Sequence, residues 1–158
     1  VSEHADYSVG LTWLIRENQF FLLEMIRKRL EPYHLRKVII AAYQRYPVHA
    51  VLIERTGAGE AVVSDLCREN MNVIAIKPQL DKKSRMMAEV AAIEAHRVLL
   101  PKEASWLADF EYEMVKFPQG RFDDIVDATS QFLCFARNRG YAPTLMQCVV
   151  TSIPSPYF

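Results

Sequence analysis

Residues 117–128 read Phe-Pro-Gln-Gly-Arg-Phe-Asp-Asp-Ile-Val-Asp-Ala, so Asp123, Asp124 and Asp127 head a segment that is otherwise apolar (Ile125, Val126, Ala128, Phe132, Leu133, Phe135, Ala136). That spacing predicts a helix over 123–137. So apolar a helix belongs in a core, and a buried carboxylate is costly unless something positive neutralises it. Acidic residues also suit a first helical turn, where they cap free N–H groups and oppose the macrodipole. Capping explains one or two of the three aspartates well and Asp127 less well, because it lies deeper. Residues four apart share a helix face, so Asp123 and Asp127 can point the same way, with Asp124 joining them. From this segment alone, cap and cation site are both open readings. Whatever the fold, it must bury this helix and neutralise its start, and three carboxylates together ask for a divalent cation more than for a side-chain partner.

The rest of the chain supplies the frame. Residues 7–15 and 20–26 predict two strands, and the turn at 16–19 makes them an antiparallel hairpin. Pro32 can open a helix, and Leu35, Val38, Ile39, Ala42 and Tyr43 recur at helical spacing up to Tyr46, before Pro47. Residues 50–53 and 73–76 are short apolar runs, the mark of strands buried on both faces. Between them Gly57 and Gly59 predict a loop, and 61–70 a helix. A polar loop at 78–83, a helix at 84–96, a short extended piece at 98–100 and a helix at 106–115 follow. A hairpin first and βα crossovers later predict an α/β fold, a mixed sheet flanked by helices on both faces. Residues 1–140 form one domain, and 141–158, with little pattern, a loosely packed tail or linker.

Composition removes several function classes. The chain has 158 residues, 51% of them apolar, which suffices for one domain with a real core. Nineteen Lys and Arg balance nineteen Asp and Glu. That argues against a strongly basic nucleic-acid coat and leaves room for a local basic groove. Cys67, Cys134 and Cys148 form no CxxC pair and read as reduced core thiols. No apolar run reaches membrane-spanning length and no signal peptide opens the chain. There is no GxxxxGK[ST] phosphate loop, no GxSxG nucleophile context, and no Cys/His spacing for zinc.

Glu54 directly follows the buried run Val51-Leu52-Ile53. Ligands of open α/β sheets gather at the carboxyl ends of parallel strands. The plainer reading is a strand-end glutamate paired with Arg55 or a nearby lysine. Together, Glu54 and the aspartates of the 123–137 helix can cradle Mg²⁺ or Mn²⁺, which favour hard oxygen ligands. Two such ions about 4 Å apart activate a water and stabilise the leaving oxygen in phosphodiester hydrolysis. Lys77, Lys82, Lys83 and Arg85 surround the loop after strand 73–76, on the same sheet edge as Glu54, where they can steer a phosphate backbone or simply be solvated. Arg55 and Arg121 flank the acids, as DNA contacts or as charge balance.

Tyr7-Ser8-Val9-Gly10-Leu11, Ala50-Val51-Leu52-Ile53-Glu54, Gly57-x-Gly59, Lys82-x-x-Arg85 and above all Phe117-Pro118-x-Gly120-x-x-Asp123-Asp124-x-Val126-Asp127-Ala128 resemble the C-terminal nuclease domain of tailed-bacteriophage or prophage terminase large subunits. The resemblance runs from about residue 6 to 139. It implies an RNase H-like (resolvase/integrase-type) fold and a Mg²⁺- or Mn²⁺-dependent endonuclease that cuts concatemeric double-stranded DNA with two metal ions. It implies metal-binding and catalytic roles for Glu54, Asp124 and Asp127, with Asp123 beside them, and DNA contacts from Lys82, Lys83, Arg85, Arg55 and Arg121. The implied partners are an N-terminal ATPase domain of the same polypeptide, the portal and the small terminase subunit, in the cytoplasm of a bacterial host and away from any membrane. Two departures stand out. Phe122 replaces the His that related sequences often carry before the paired aspartates. The family's first strand, with its essential Asp, is expected upstream of the first residues, since Asp6 fits the start of the second family strand better and Glu3 is the other acid near it; as numbered, the chain is then expected to lack one metal ligand and to be inactive or weakly metal-binding. A non-cleaving RNase H-like module that docks on DNA or the portal is the alternative, and a resolvase-type enzyme acting on branched DNA a third reading.

Overall fold

A computed structural model describes residues 7–55, 57–139 and 146–152. The expectations about Glu3 and Asp6 fall outside these. β1 (Ser8–Arg16) and β2 (Gln19–Lys28) form the antiparallel hairpin. Glu17 and Asn18, at φ 49 and 70, make the two-residue turn whose twist matches its strands. α1 (Pro32–Arg45) begins on Pro32, and β3 (Ala50–Glu54), α2 (Gly57–Arg68) and β4 (Val73–Ile76) form a βαβ unit with parallel strands. α3 (Lys82–Glu94), β5 (Val98–Leu99), α4 (Leu107–Lys116), α5 (Asp124–Arg139) and β6 (Met146–Ser152) complete the chain order. The six strands make one mixed sheet in the order β4-β3-β6-β1-β2-β5.

Residues 146–152 depart from the expectation of a loose tail. β6 lies in the middle of the sheet, antiparallel to β1 and parallel to β3, and it alone joins the hairpin to the βαβ unit. Inner strand edges of β1 and β3 carry backbone N–H and C=O groups that need partners, and Cys148-Val149-Val150-Thr151 is a short stretch suited to a pleated, two-sided slot.

Two helix starts also differ from the sequence reading, for reasons of capping. Gly57 and Gly59 belong to the first turn of α2, with Glu60 opposing the dipole there. α2 ends where Asn70 turns left-handed at φ 56. Asn70 N then donates to Cys67 O at 3.1 Å and Met71 N to Leu66 O at 3.3 Å, the Schellman closure. α3 starts earlier than expected because Asp81 is its N-cap, its Oδ1 accepting from Ser84 N at 3.0 Å. Lys82 and Lys83 therefore sit in a first helical turn, not in a loop.

The sheet has a core on each face. α1 and α2 lay Leu35, Ile39, Ala42, Val62 and Leu66 over Val51 and Ile53. α4 and α5 lay Phe110, Ile125, Ala128, Phe132 and Leu133 over Val9, Leu11, Trp13 and Leu52. β3 thus sends alternate residues to both cores, as a doubly covered strand must. The Phe132 ring stacks on Trp13 with centroids 4.6 Å apart and meets Phe20 edge-on at 5.6 Å, which fixes α5 against the hairpin. Cys67 is exposed and Cys134 half-buried, so neither is the core thiol expected. No helix among the described residues is long and apolar enough to cross a membrane.

Candidate functional site

α5 enters the core by its N-terminus, and the first turn of a helix has N–H groups without intrahelical partners. Asp123 holds the N-cap position: its carbonyl accepts the first helical bond, from Asp127 N at 2.9 Å. The next donors are satisfied from another helix. Glu113 of α4, only 3% exposed, accepts from Ile125 N at 2.6 Å and from Val126 N at 3.4 Å. Burial raises the Glu113 pKa, against the two backbone donors and Arg27. The Arg27 guanidinium lies 3.2 Å from Glu113 Oε2 as an ion pair without hydrogen-bond geometry. Glu113 thus anchors the turn that carries Asp124 and Asp127.

Glu54 ends β3 beside this turn. Its Oε2 accepts from Gln131 Nε2 at 2.6 Å, and Gln131 sits one helical turn beyond Asp127 on α5. Burial first, and then the negative charge of Asp127, raises the Glu54 pKa. Acids 73 residues apart in the chain, Glu54 and Asp127, thus share one electrostatic environment. Arg55 does not pair with Glu54. Its Nε reaches Glu60 Oε1 at 2.8 Å on the exposed start of α2.

Where the sequence asked for a divalent cation more than for a side-chain partner, α3 brings two cationic side chains to the aspartates. Arg85, expected to contact a phosphate backbone, is instead 6% exposed and turned into the protein. It pairs with Asp127 Oδ1, donates from Nε to Ser130 Oγ at 3.1 Å and from Nη1 to Leu80 O at 2.9 Å. Three of its five N–H groups are thus spent inside the protein. Lys82 Nζ donates to Asp123 Oδ1 at 2.8 Å and lies 3.9 Å from Asp127 Oδ2. Burial disfavours its ammonium, but Asp123, Asp127 and Asp124 outweigh that and raise its pKa. Lys83 and Arg121 are exposed. The α3–α5 interface carries a second ion pair one turn further along α3, Arg137 Nη2 to buried Glu89 Oε1 at 2.9 Å.

The structure therefore gathers all four sequence-predicted acids, Glu54, Asp123, Asp124 and Asp127, around Lys82 and Arg85. Four carboxylates against two cations leave an excess of negative charge. At Asp124 burial, and then the charge of Glu113, pushes the pKa up to about 6. Gln131, Ser130 and Glu113 were not singled out by sequence. Gln131 and Ser130 lay one turn past Asp127, near the helix face that the aspartates define, and that periodicity is a signal that could have found them. Nothing in the sequence marks Glu113.

The Asp124 shift has a testable consequence with a definite sign. A carboxyl whose folded pKa lies above its unfolded value of about 3.9 binds its proton preferentially in the native state between the two values. Stability therefore falls as pH rises from about 4 to about 6 and stays lowered above that. Solvent screening of this half-buried group limits the penalty to about 1 kcal/mol. Asp124→Asn, with the metal chelated, is expected to raise Tm by about 3 °C at pH 7.5 and to leave it unchanged at pH 4. Thermal melts at the two pH values check this, and an equal effect at both would refute the origin of the shift.

All the donors here are oxygens (Glu54, the three aspartates, Gln131, Ser130), which suits a hard divalent cation in kind. They are not a finished cage: among the described residues no three acidic, His or Cys groups are gathered tightly enough to hold an ion as they stand. Asp127 and Asp123 are instead held by Arg85 and Lys82. The family described as Terminase RNaseH-like domain matches residues 1–135, a span that includes Glu54 and every aspartate of the α5 turn. No curated protein and no solved structure matches the chain.

Proposed function

The chain belongs to the terminase RNaseH-like domain family, and from that premise we propose that it is a divalent-metal-dependent endonuclease domain acting on double-stranded DNA. The observation that carries the reading is the convergence of Glu54 with the first turn of α5 into a corner whose carboxylates outnumber its cations. Glu54, Asp124 and Asp127, with Asp123 beside them, would hold Mg²⁺ or Mn²⁺, as two ions. When bound, the metal supplies an activated water and neutralises charge developing on the phosphate and the leaving oxygen.

The chain's own residues have distinct tasks in this reading. Gln131 fixes one Glu54 oxygen, which leaves Oε1 for ligation or for taking a proton from the attacking water. Arg85 and Ser130 fix the Asp127 carboxylate and its backbone. Glu113 holds the helix turn from behind. In the reaction one water oxygen joins phosphorus, the P–O3′ bond breaks, and the 3′ oxygen departs with a proton. Lys83, exposed in the first turn of α3, and Lys82, half-buried beside it and held by Asp123, would face a phosphate backbone, and the reading implies little base-edge readout. An ATPase domain of the same polypeptide is the partner it implies.

The test is conversion of supercoiled plasmid to nicked and linear forms by the chain with Mn²⁺ or Mg²⁺. Nicking that stops on adding chelator and returns with excess metal is the expected result. The same assay is run on a polypeptide extended upstream through the family's first strand and its Asp; nicking that persists in chelator, or its absence at every metal concentration from both chains when folded, would sink the reading.

A further inference from the structure

The sheet ends at β4, which pairs with β3 on one side and, among the described residues, with no strand on the other. Val51 N donates to Asn72 O at 2.8 Å and Arg55 N to Ile76 O at 2.7 Å. Alternate residues of a strand serve the same neighbour, so Asn72, Ile74 and Ile76 turn their backbone groups to β3, and Val73 and Ala75 turn theirs outward. Ala75 is exposed. The Ile74 and Ile76 side chains pack towards the α5 core, and Val73 towards the α1–α2 core. On the α5 side the edge borders a groove of about 560 Å³, lined by β4, the segment 77–80 and the second half of α5. Ile74, Ile76, Leu80 and Phe135 give it apolar walls, and Leu80 is 57% exposed. Lys77 and Arg139 stand exposed beside these walls, and no carboxylate is among the described lining residues. Arg85 and Arg137, which also line the groove, have Asp127 and Glu89 for partners, so Lys77 and Arg139 carry its excess charge. Gln131, 2% exposed, lines it from within, its Oε1 without a hydrogen-bond partner among the described residues.

We propose that the outer edge of β4 and this groove form a docking site for an extended acidic peptide of another protein, which joins the sheet as a further strand. The proposal goes beyond the nuclease reading and does not depend on it. A strand laid about 4.8 Å from β4 satisfies the outward groups of Val73 and Ala75 and sends alternate side chains to opposite faces. Every second side chain then enters the groove, where apolar ones leave water against Ile74, Ile76 and Phe135. Carboxylates that flank them on the same face meet Lys77 and Arg139 at the rim. Gln131 Oε1 is an acceptor for a donor that reaches the floor. Edge and charge together select this occupant. Residues 140–158 of the chain itself include no Asp or Glu, so they lack the counter-charge. A second copy paired edge to edge would bring like cations together, the usual protection of a short edge. A nucleic-acid strand would meet the cations but has no amide ladder to offer the edge.

The probe is a fluorescein-labelled heptapeptide, Asp-Glu-Val-Thr-Val-Glu-Asp, whose terminal carboxylates share a strand face with its two valines. Anisotropy titration with the full chain in chelator is expected to show saturable binding. The same peptide N-methylated throughout cannot pair with an edge and is expected to bind about tenfold more weakly or worse. Ala75→Pro removes one outward N–H and keeps the bonds to β3, a change that an edge strand tolerates, and is expected to weaken binding about tenfold. Lys77→Glu is expected to weaken it as much, by charge, and Arg68→Gln, at the exposed end of α2, to leave it unchanged. Thermal melts accompany each variant; should Ala75→Pro not fold, the methylated peptide and Lys77→Glu decide. No saturable binding at millimolar peptide, equal binding of the methylated peptide, or parental affinity in Lys77→Glu would overturn the docking site. So would displacement of the probe, at lower concentration than by the unlabelled heptapeptide, by an oligothymidylate, which would give the groove to a nucleic acid, or by a free peptide of residues 153–158, which would give it to the chain's own sequence. Self-association of the chain that Ala75→Pro abolishes would give the edge to a second copy.

Discussion

Glu54→Gln is expected to slow plasmid nicking by about 100-fold or more, equivalent to about 3 kcal/mol of transition-state stabilisation, while the chain keeps its fold. The substitution is nearly isosteric and removes one charge. Glu54 ends its strand only partly buried, and Gln131, which donates to it, can still donate to an amide oxygen. A raised pKa means that the ionised Glu54 is a cost to the apo fold, so neutralising it does not destabilise the protein. What is lost is an anionic oxygen for the metal. Gln131→Ala should fall between, about 10-fold down, because it loosens Glu54 without removing its charge. Nicking rates with thermal melts on the same preparations decide the matter. A Glu54→Gln chain that nicks at the parental rate would remove Glu54 from the chemistry.

Much of the frame could be read in advance because it rests on periodicity. The hairpin, the buried β3 and β4 and the apolar α5 all announce themselves by the spacing of Val, Ile, Leu and Phe. β6 did not, because seven residues in a proline-rich stretch carry too little pattern. Its identity as a strand comes from the slot between β1 and β3, which is a tertiary fact. The early starts of α2 and α3 were hidden for a local reason: glycines, lysines and Asp81 read as loop residues until the capping bonds are seen.

The acids were legible and their partners were not. A carboxylate in an apolar context is conspicuous because its burial is costly. An arginine in a Lys- and Arg-rich stretch is not, and Arg85 looked like its neighbours Lys82 and Lys83. What distinguishes it is the face of α3 that meets α5: Arg85, Met86 and Glu89 are the buried residues of that helix, and Arg85 and Glu89 each take a partner on α5. Which helix would lie opposite is not written in α3. Glu113 poses the same difficulty, since a side chain from α4 that caps α5 has no local signature at all.

The Arg85–Asp127 pair should then show the energetics of a buried ion pair, and its stability can be separated from its chemistry. Asp127→Ala is expected to cost about 3–5 kcal/mol, because it leaves the Arg85 charge buried with Ser130 Oγ and Leu80 O to accept from it and no carboxylate in direct contact, Glu54 acting on it only through its field. Arg85→Met should cost less, since Asp127 keeps Lys82 within 3.9 Å. Replacing both, Arg85→Met with Asp127→Leu, exchanges two desolvated charges for apolar volume and should restore most of the loss or exceed the parent. Urea unfolding at constant m reads these differences as shifts in the midpoint. The double variant is the decisive chain: folded and stable, it should still fail to nick DNA, because stability needs only that the two charges be absent together, whereas hydrolysis needs the Asp127 carboxylate itself. A double variant that nicks would make the pair purely structural, and an Asp127→Ala chain as stable as the parent would mean that Arg85 does not meet Asp127 in the folded protein.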